Sequence, residues 1–128
     1  MISAEDRLEW LSGLFSAIDA KDTKSFLAYL SDDATFRFGS APAAHGRETI
    51  GAAVDGFFQT IDGSRHTLLN TLAEASTMVC EGDVMYRRLD GNSLTLPFAN
   101  VFELAGDRIS EYKIYIDIAP LYAEATFG

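Results

Sequence analysis

From His66 onward the apolar residues stop recurring every three or four positions and begin to alternate. No other feature constrains the fold as strongly, because a period near 3.6 marks helices and a period of two marks half-buried strands. The chain therefore reads as helices first and a sheet after.

Strands are predicted near "HTLLNTLAEA", "TMVCEGDVMYRRL", "LTLPFANVFEL" and "RISEYKIYIDI". The turns between the later ones are short, "DGN" at 90–92 and "GD" at 106–107, which is hairpin chemistry and makes an antiparallel meander. Before the switch, residues 3–22 read as a helix with Ser3 as N-cap and Leu8, Leu11, Phe15 and Ile18 on one face. A second helix is predicted over 22–33, capped by Asp22 or Thr23, with Phe26, Leu27 and Leu30 buried. "ATFRF" reads as a short strand and "GSAPAAHG" as a loop. A third helix is predicted over 47–61 with Ile50, Val54, Phe57 and Ile61 in register; Gly51 and Gly56 weaken it unless another element must come close. "APLYAEA" reads as a closing turn of helix. The fold class is α+β: three N-terminal helices packed on a strongly curved, mostly antiparallel sheet, in one domain spanning 1–128.

The formal charge of −9 disfavours nucleic acid and anionic membranes as partners. Cys80 is the single cysteine, so no internal disulfide forms, and it reads as a small buried hydrophobe. No apolar run approaches the ~18 residues of a membrane span. The N-terminal "MISAEDRLEW" lacks the basic start of a signal peptide, so the cytoplasm is the expected compartment. No metal-ligand spacing, phosphate loop or nucleophile elbow is present, and no cofactor is expected. Nine Phe among 128 residues point to a wide apolar interior or a pocket.

The strings "AIDAKDTKSFLAYLSDDATFRF", "HGRETI", "LPFANVFEL" and "GDRISEYKIYID" resemble the SnoaL-like group of the nuclear-transport-factor-2-like, cystatin-like superfamily. The resemblance covers nearly the whole chain. It implies a cone between sheet and helices with an internal pocket for a small, largely apolar molecule. The superfamily includes cyclases, isomerases, hydrolases and non-catalytic binding domains, so the resemblance fixes no reaction. The ketosteroid isomerase base falls on Phe38, its helix-one tyrosine on Leu14 and its second acid on Asn100. Phenylalanine cannot take a proton, so that design is not carried over. In the limonene-epoxide hydrolases one acid falls on Asp117, and Arg88 with Asp90 reproduces an Arg-x-Asp spacing. The water-positioning tyrosine and asparagine fall on Phe36 and Phe38. A cyclase-like site would use Asp117 as acid or base, with Asn100 and His66 as hydrogen-bond partners.

Facing follows from the "GD" turn. With Ala105 opposite Arg108, Asn100 falls opposite Lys113, Phe98 opposite Tyr115 and Leu96 opposite Asp117, so these share one face. That face, with Phe102, is the expected pocket wall. Pro97, Ala99, Val101, Tyr112, Ile114 and Ile116 then form an apolar outer face suited to a homodimer. In the preceding hairpin a three-residue loop turns Val84, Tyr86 and Arg88 inward, and a two-residue loop turns Met85, Arg87 and Leu89 inward. Phe36, Phe38, Phe57, Tyr86, Arg88, Phe98 and Tyr115 are the candidate ligand-binding residues. Asp117, Asn100 and His66 are the candidate catalytic ones. The plainer alternatives are Asp117 capping the "APLY" turn and His66 as a satisfied core or rim histidine.

Overall fold

A computed structural model of the chain describes residues 4–123. Its elements run α1 (Ala4–Asp19), α2 (Thr23–Leu27), β1 (Leu30–Phe38), β2 (Ala44–His45), α3 (Arg47–Phe58), β3 (Ile61–Glu74), β4 (Thr77–Arg88), β5 (Ser93–Ala105), β6 (Arg108–Tyr115) and α4 (Ala119–Tyr122). One six-stranded sheet has the order β2-β1-β6-β5-β4-β3. Only β1 and β6 are parallel. The expected meander is β3 to β6. No described helix is long and apolar enough to cross a membrane.

Helix α1 buries the expected Leu11 and Phe15 and half-buries Ile18, adds Leu14, and leaves Leu8 51% exposed. The expected cap Ser3 lies outside the described residues. The helix ends in a Schellman turn: Asp22 N donates to Ala17 O at 2.9 Å and Lys21 N to Ile18 O at 2.9 Å. Lys21 takes the left-handed position, with φ 56°. Its Nζ then reaches Ile61 O at 2.7 Å, which ties the end of α1 to the start of β3. Asp22 caps α2, accepting from Ser25 N at 3.1 Å.

Three elements differ from expectation. Helix α2 is a single turn rather than 22–33, because from Leu30 the chain pairs with β6, and Ile109 N donates to Tyr29 O at 2.8 Å. Tertiary pairing outweighs local helix preference here. Ile61 opens β3 instead of closing α3, and His66 sits within that strand. Two loop residues, Ala44 and His45, pair with β1. Gly51 does permit a close approach: a Cβ there would lie 3.1 Å from Leu27 Cδ1.

The largest correction is in register. Ala105 pairs with Arg108 as expected, but a bulge follows, and Leu104 pairs with Ile109 while Glu103 pairs with Glu111. Ser110 is the extra residue, so Asn100 faces Ile114 rather than Lys113. One inserted residue flips β6 from Glu111 onward. Tyr112, Ile114 and Ile116 turn inward, while Tyr115 is 57% exposed and Asp117 is exposed. The exchange turns Tyr112, Ile114 and Ile116 inward in place of Glu111, Lys113, Tyr115 and Asp117, which the hydrophobic effect favours. The β4–β5 loop closes with Arg88 N donating to Asn92 O at 2.8 Å and Arg87 opposite Ser93, so its three residues are 89–91 rather than the expected 90–92; the shift keeps the parity, and Val84 and Tyr86 face inward.

A second bulge lies in β3, between Leu68 and Asn70, opposite Gly82. A Cβ on Gly82 would lie 2.0 Å from Thr67 O. Only glycine lets the two backbones approach this closely, and the bulge bends the sheet around the helices.

Candidate functional site

Between the bent sheet and helices α1 to α3 lies a cavity of about 250 Å³. Phenylalanine is the most frequent residue type in its wall, as Phe26, Phe36, Phe38, Phe57, Phe58 and Phe98. Alternation along β1 aims Phe36 and Phe38 inward, and alternation along β4 aims Val84 and Tyr86 the same way. The rings lock edge to face: Phe36 meets Tyr112 at 5.2 Å between centroids, and Phe57 meets Tyr86 at 5.8 Å. Ala41, Pro42 and Ala53 line the cavity and are exposed as well, so they mark its mouth. Among the described residues no Lys, Arg, Asp or Glu side chain lines the wall.

Four polar residues line it: His66, Tyr86, Asn100 and Tyr112. His66 Nδ1 lies 2.6 Å from Asp19 Oδ1, and the His66 backbone N–H donates to Asp19 Oδ2 at 2.9 Å. Ser64 Oγ donates to Asp19 Oδ1 at 2.7 Å. The His66 ring stacks on Phe15 at 4.7 Å and meets Phe98 edge-on at 5.3 Å. Imidazole and carboxylate are thus fixed in position by aromatic packing and three hydrogen bonds. Burial pushes the Asp19 carboxyl up, but the hydrogen bonds and charge of His66 and the hydroxyl of Ser64 outweigh it, and the net direction is down. The pair also lines a shallow outer groove beside Ser12, Ser16 and Leu68. His66 lines both spaces, and Asp19 lines only the groove.

Asn100 is 2% exposed and its Oδ1 has no partner among the described residues. Its backbone and side chain donate toward the Cys80 sulfur, but burial dominates and pushes that thiol up to about 12. At neutral pH Cys80 is a protonated thiol, not a nucleophile. Burial also raises the Tyr86 hydroxyl, helped by Tyr122 and Asp19, and the Tyr112 hydroxyl, helped by Cys80 and Tyr86. Both stay neutral phenols. Among the described residues no group of three or more His, Cys, Asp or Glu side chains is placed to hold a metal ion.

Of the expected site residues, Phe36, Phe38, Phe57, Tyr86, Phe98, Asn100 and His66 meet around this cavity. Asp117, Tyr115 and Arg88 do not. Asp117 is exposed and accepts from Ala119 N at 3.1 Å, which is the capping alternative. Tyr115 points out because of the Ser110 bulge. Arg88 follows the inward residues of β4 but binds carbonyls, donating to Leu121 O at 3.1 Å and Ala123 O at 2.6 Å, and it pairs with Asp90 at 3.1 Å. It fastens α4 to the sheet. The sequence reading missed Asp19 and Tyr112. Asp19 carried a signal: an acid in the last turn of a helix that has no base there opposes the helix dipole and needs an outside partner.

The sequence profile of the SnoaL-like domain family matches residues 11–112, and the chain belongs to that family. No curated protein matches the sequence. Among solved structures, a nuclear-transport-factor-2-like protein from Burkholderia pseudomallei superposes with TM-score 0.80 at 18% identity, over 89% of this chain and 92% of its own. A protein of ketosteroid isomerase-like fold from Catenulispora acidiphila, in complex with trimethylamine, gives 0.80 at 14% identity over 88% of each chain. An epoxide hydrolase of the limonene-epoxide hydrolase-like type from M. tuberculosis gives 0.73 at 15% identity, over 89% of this chain and 84% of its own. At these identities the likeness is one of fold.

Proposed function

We propose that this SnoaL-like domain binds a small, largely apolar molecule in its cone and acts on it by acid–base chemistry at His66, with Asp19 as the positioning partner. The observation that carries the reading is the 2.6 Å contact between His66 Nδ1 and Asp19 at the wall of an otherwise apolar cavity. With Nδ1–H donating to the carboxylate, the Nε2 lone pair is the free end of the imidazole. A base so placed takes a proton from the carbon next to a carbonyl or from a hydroxyl. The neutral phenols of Tyr86 and Tyr112 supply donors for the oxygen on which charge develops. Cyclisation and isomerisation of an enolisable ligand fit this set. Epoxide hydrolysis by an Asp–Arg–Asp design has less support, since Asp117 and Arg88 lie outside the cavity.

The test begins with native mass spectrometry of the purified protein to identify a retained ligand. Turnover of that compound by His66→Gln is expected to fall roughly 100- to 10,000-fold with binding preserved. Binding without turnover by the wild type favours a non-catalytic binding domain instead.

We also propose that the outer face of the sheet is covered by a second copy. Leu72, Val79 and Val101 lie in register across β3, β4 and β5 on the face opposite Asn100, and Leu72 is 64% exposed. The expected patch keeps Ala99 and Val101 but loses Tyr112, Ile114 and Ile116 to the interior. A dimer of this kind buries more than about 1,000 Å². A monomer in sedimentation at micromolar concentration rules it out.

A further inference from the structure

We infer that Tyr86 and Tyr112 form a paired phenol site for the carbonyl oxygen of an uncharged, roughly bicyclic ligand. The inference rests on the reading of the cavity as an apolar ligand site and names what that site selects. Three observations converge on it.

The first is unsatisfied polarity. Tyr86 is 3% exposed and Tyr112 1% exposed, yet neither hydroxyl has a hydrogen-bond partner among the described residues. Neither is sealed away from contact as Asn100 Oδ1 is; both belong to residues of the cavity wall. Buried hydroxyls are ordinarily satisfied, and two unsatisfied ones in one cavity ask for a shared guest. They come from β4 and β6, strands separated by β5, and both residues share one cavity wall because the Ser110 bulge turns Tyr112 inward.

The second is charge. Burial keeps both phenols protonated, hence able to donate. Two donor residues in the wall of one cavity suit an acceptor oxygen. An anionic ligand has no Lys or Arg in the wall to meet it, and the His66 imidazole is already engaged by Asp19. A carboxylate or phosphate would enter unpaired, which is costly in an apolar wall.

The third is size. A cavity of about 150 Å³ holds benzene. By proportion, about 250 Å³ holds about ten ring carbons, two fused rings.

The experiment uses four probes on the full chain by titration calorimetry: 1-tetralone, tetralin, 1,2,3,4-tetrahydro-1-naphthol and 1-naphthoate. 1-Tetralone is expected to bind at least about tenfold tighter than tetralin, the worth of one good hydrogen bond. The alcohol is expected to fall between them, and 1-naphthoate to bind least. Tyr86→Phe and Tyr112→Phe keep the rings that pack the core. Each is expected to lower the affinity for 1-tetralone severalfold while leaving tetralin unchanged, and the double variant to erase the difference. Equal affinity for 1-tetralone and tetralin overturns the inference and leaves the apolar site standing. So does a preference for the alcohol or for 1-naphthoate, or a double variant that still prefers the ketone. Failure of both 1-tetralone and tetralin to bind overturns the apolar-site reading and the inference with it.

Discussion

The His66 imidazole and the Asp19 carboxylate meet at 2.6 Å although 47 residues separate them in the chain. The Schellman turn after α1 and the Lys21 bond to Ile61 bring the end of the helix against β3. Their side chains are 11% and 22% exposed, so the pair is shielded but not sealed. The aspartate also answers the His66 backbone N–H, so it holds strand and side chain together.

Asp19→Asn is expected to destabilise the protein by about 1.5–3 kcal/mol near pH 7, the usual worth of a hydrogen bond to a charged group. The folded protein holds this carboxyl below its ordinary value. Its contribution is therefore fully present above about pH 3.9, the unfolded value, and is lost as pH falls through the folded one. Denaturation midpoints of wild type and variant, measured from pH 7 to pH 3, should converge at the acid end. A gap that stays constant over that range would show that the carboxylate's charge contributes nothing.

The switch of period at His66 and the two turns were enough to read α1, most of α3 and the meander; α2 was overextended into β1, and the facing of β4 stayed open between two loop lengths. What the sequence hid was the Ser110 bulge. The alternation in "EYKIYID" carried the clue, for Glu111, Lys113 and Asp117 share one parity and Tyr112, Ile114 and Ile116 the other. Counting back from a regular turn overrode that pattern and put the charges inside. The apolar parity was the stronger guide, because burying three apolar side chains outweighs the irregularity of one bulge. Asp19 was hidden for another reason. Its partner lies across a helix-to-strand contact, and no local spacing records such a pairing.

Gly82→Ala tests the bend of the sheet. The added methyl would sit 2.0 Å from Thr67 O, a backbone atom of the β3 bulge that cannot swing aside. A loss of at least about 2 kcal/mol in chemical denaturation is expected, near the upper end for overpacking. A change within about 0.5 kcal/mol, the usual range for an exposed position, would mean that the two strands separate freely there.

Asp117→Ala separates capping from chemistry. Its carboxylate makes one exposed bond, to Ala119 N at the start of a four-residue helix. The cost in stability should stay below about 1 kcal/mol, as for a weak N-cap. Affinity for 1-tetralone should remain within about twofold of wild type, since the side chain does not line the cavity. A tenfold loss of affinity by calorimetry would return Asp117 to the site.

Ala53→Phe tests the mouth. Ala53 lies on α3, is exposed, and also lines the cavity beside Ala41 and Pro42. An exposed helical substitution of this kind changes stability little, typically within about 0.5 kcal/mol. A benzyl group there would narrow the one apolar opening that these small residues define. Association of 1-tetralone, followed by NMR line shape, should slow at least about tenfold, because the transit now waits on displacement of a ring. Dissociation should slow in parallel, since ligand leaves by the same opening, so the equilibrium affinity changes less than either rate. Unchanged rates would place the path elsewhere. The groove beside Ser12 and Ser16 is the next candidate, because His66 lines both it and the cavity.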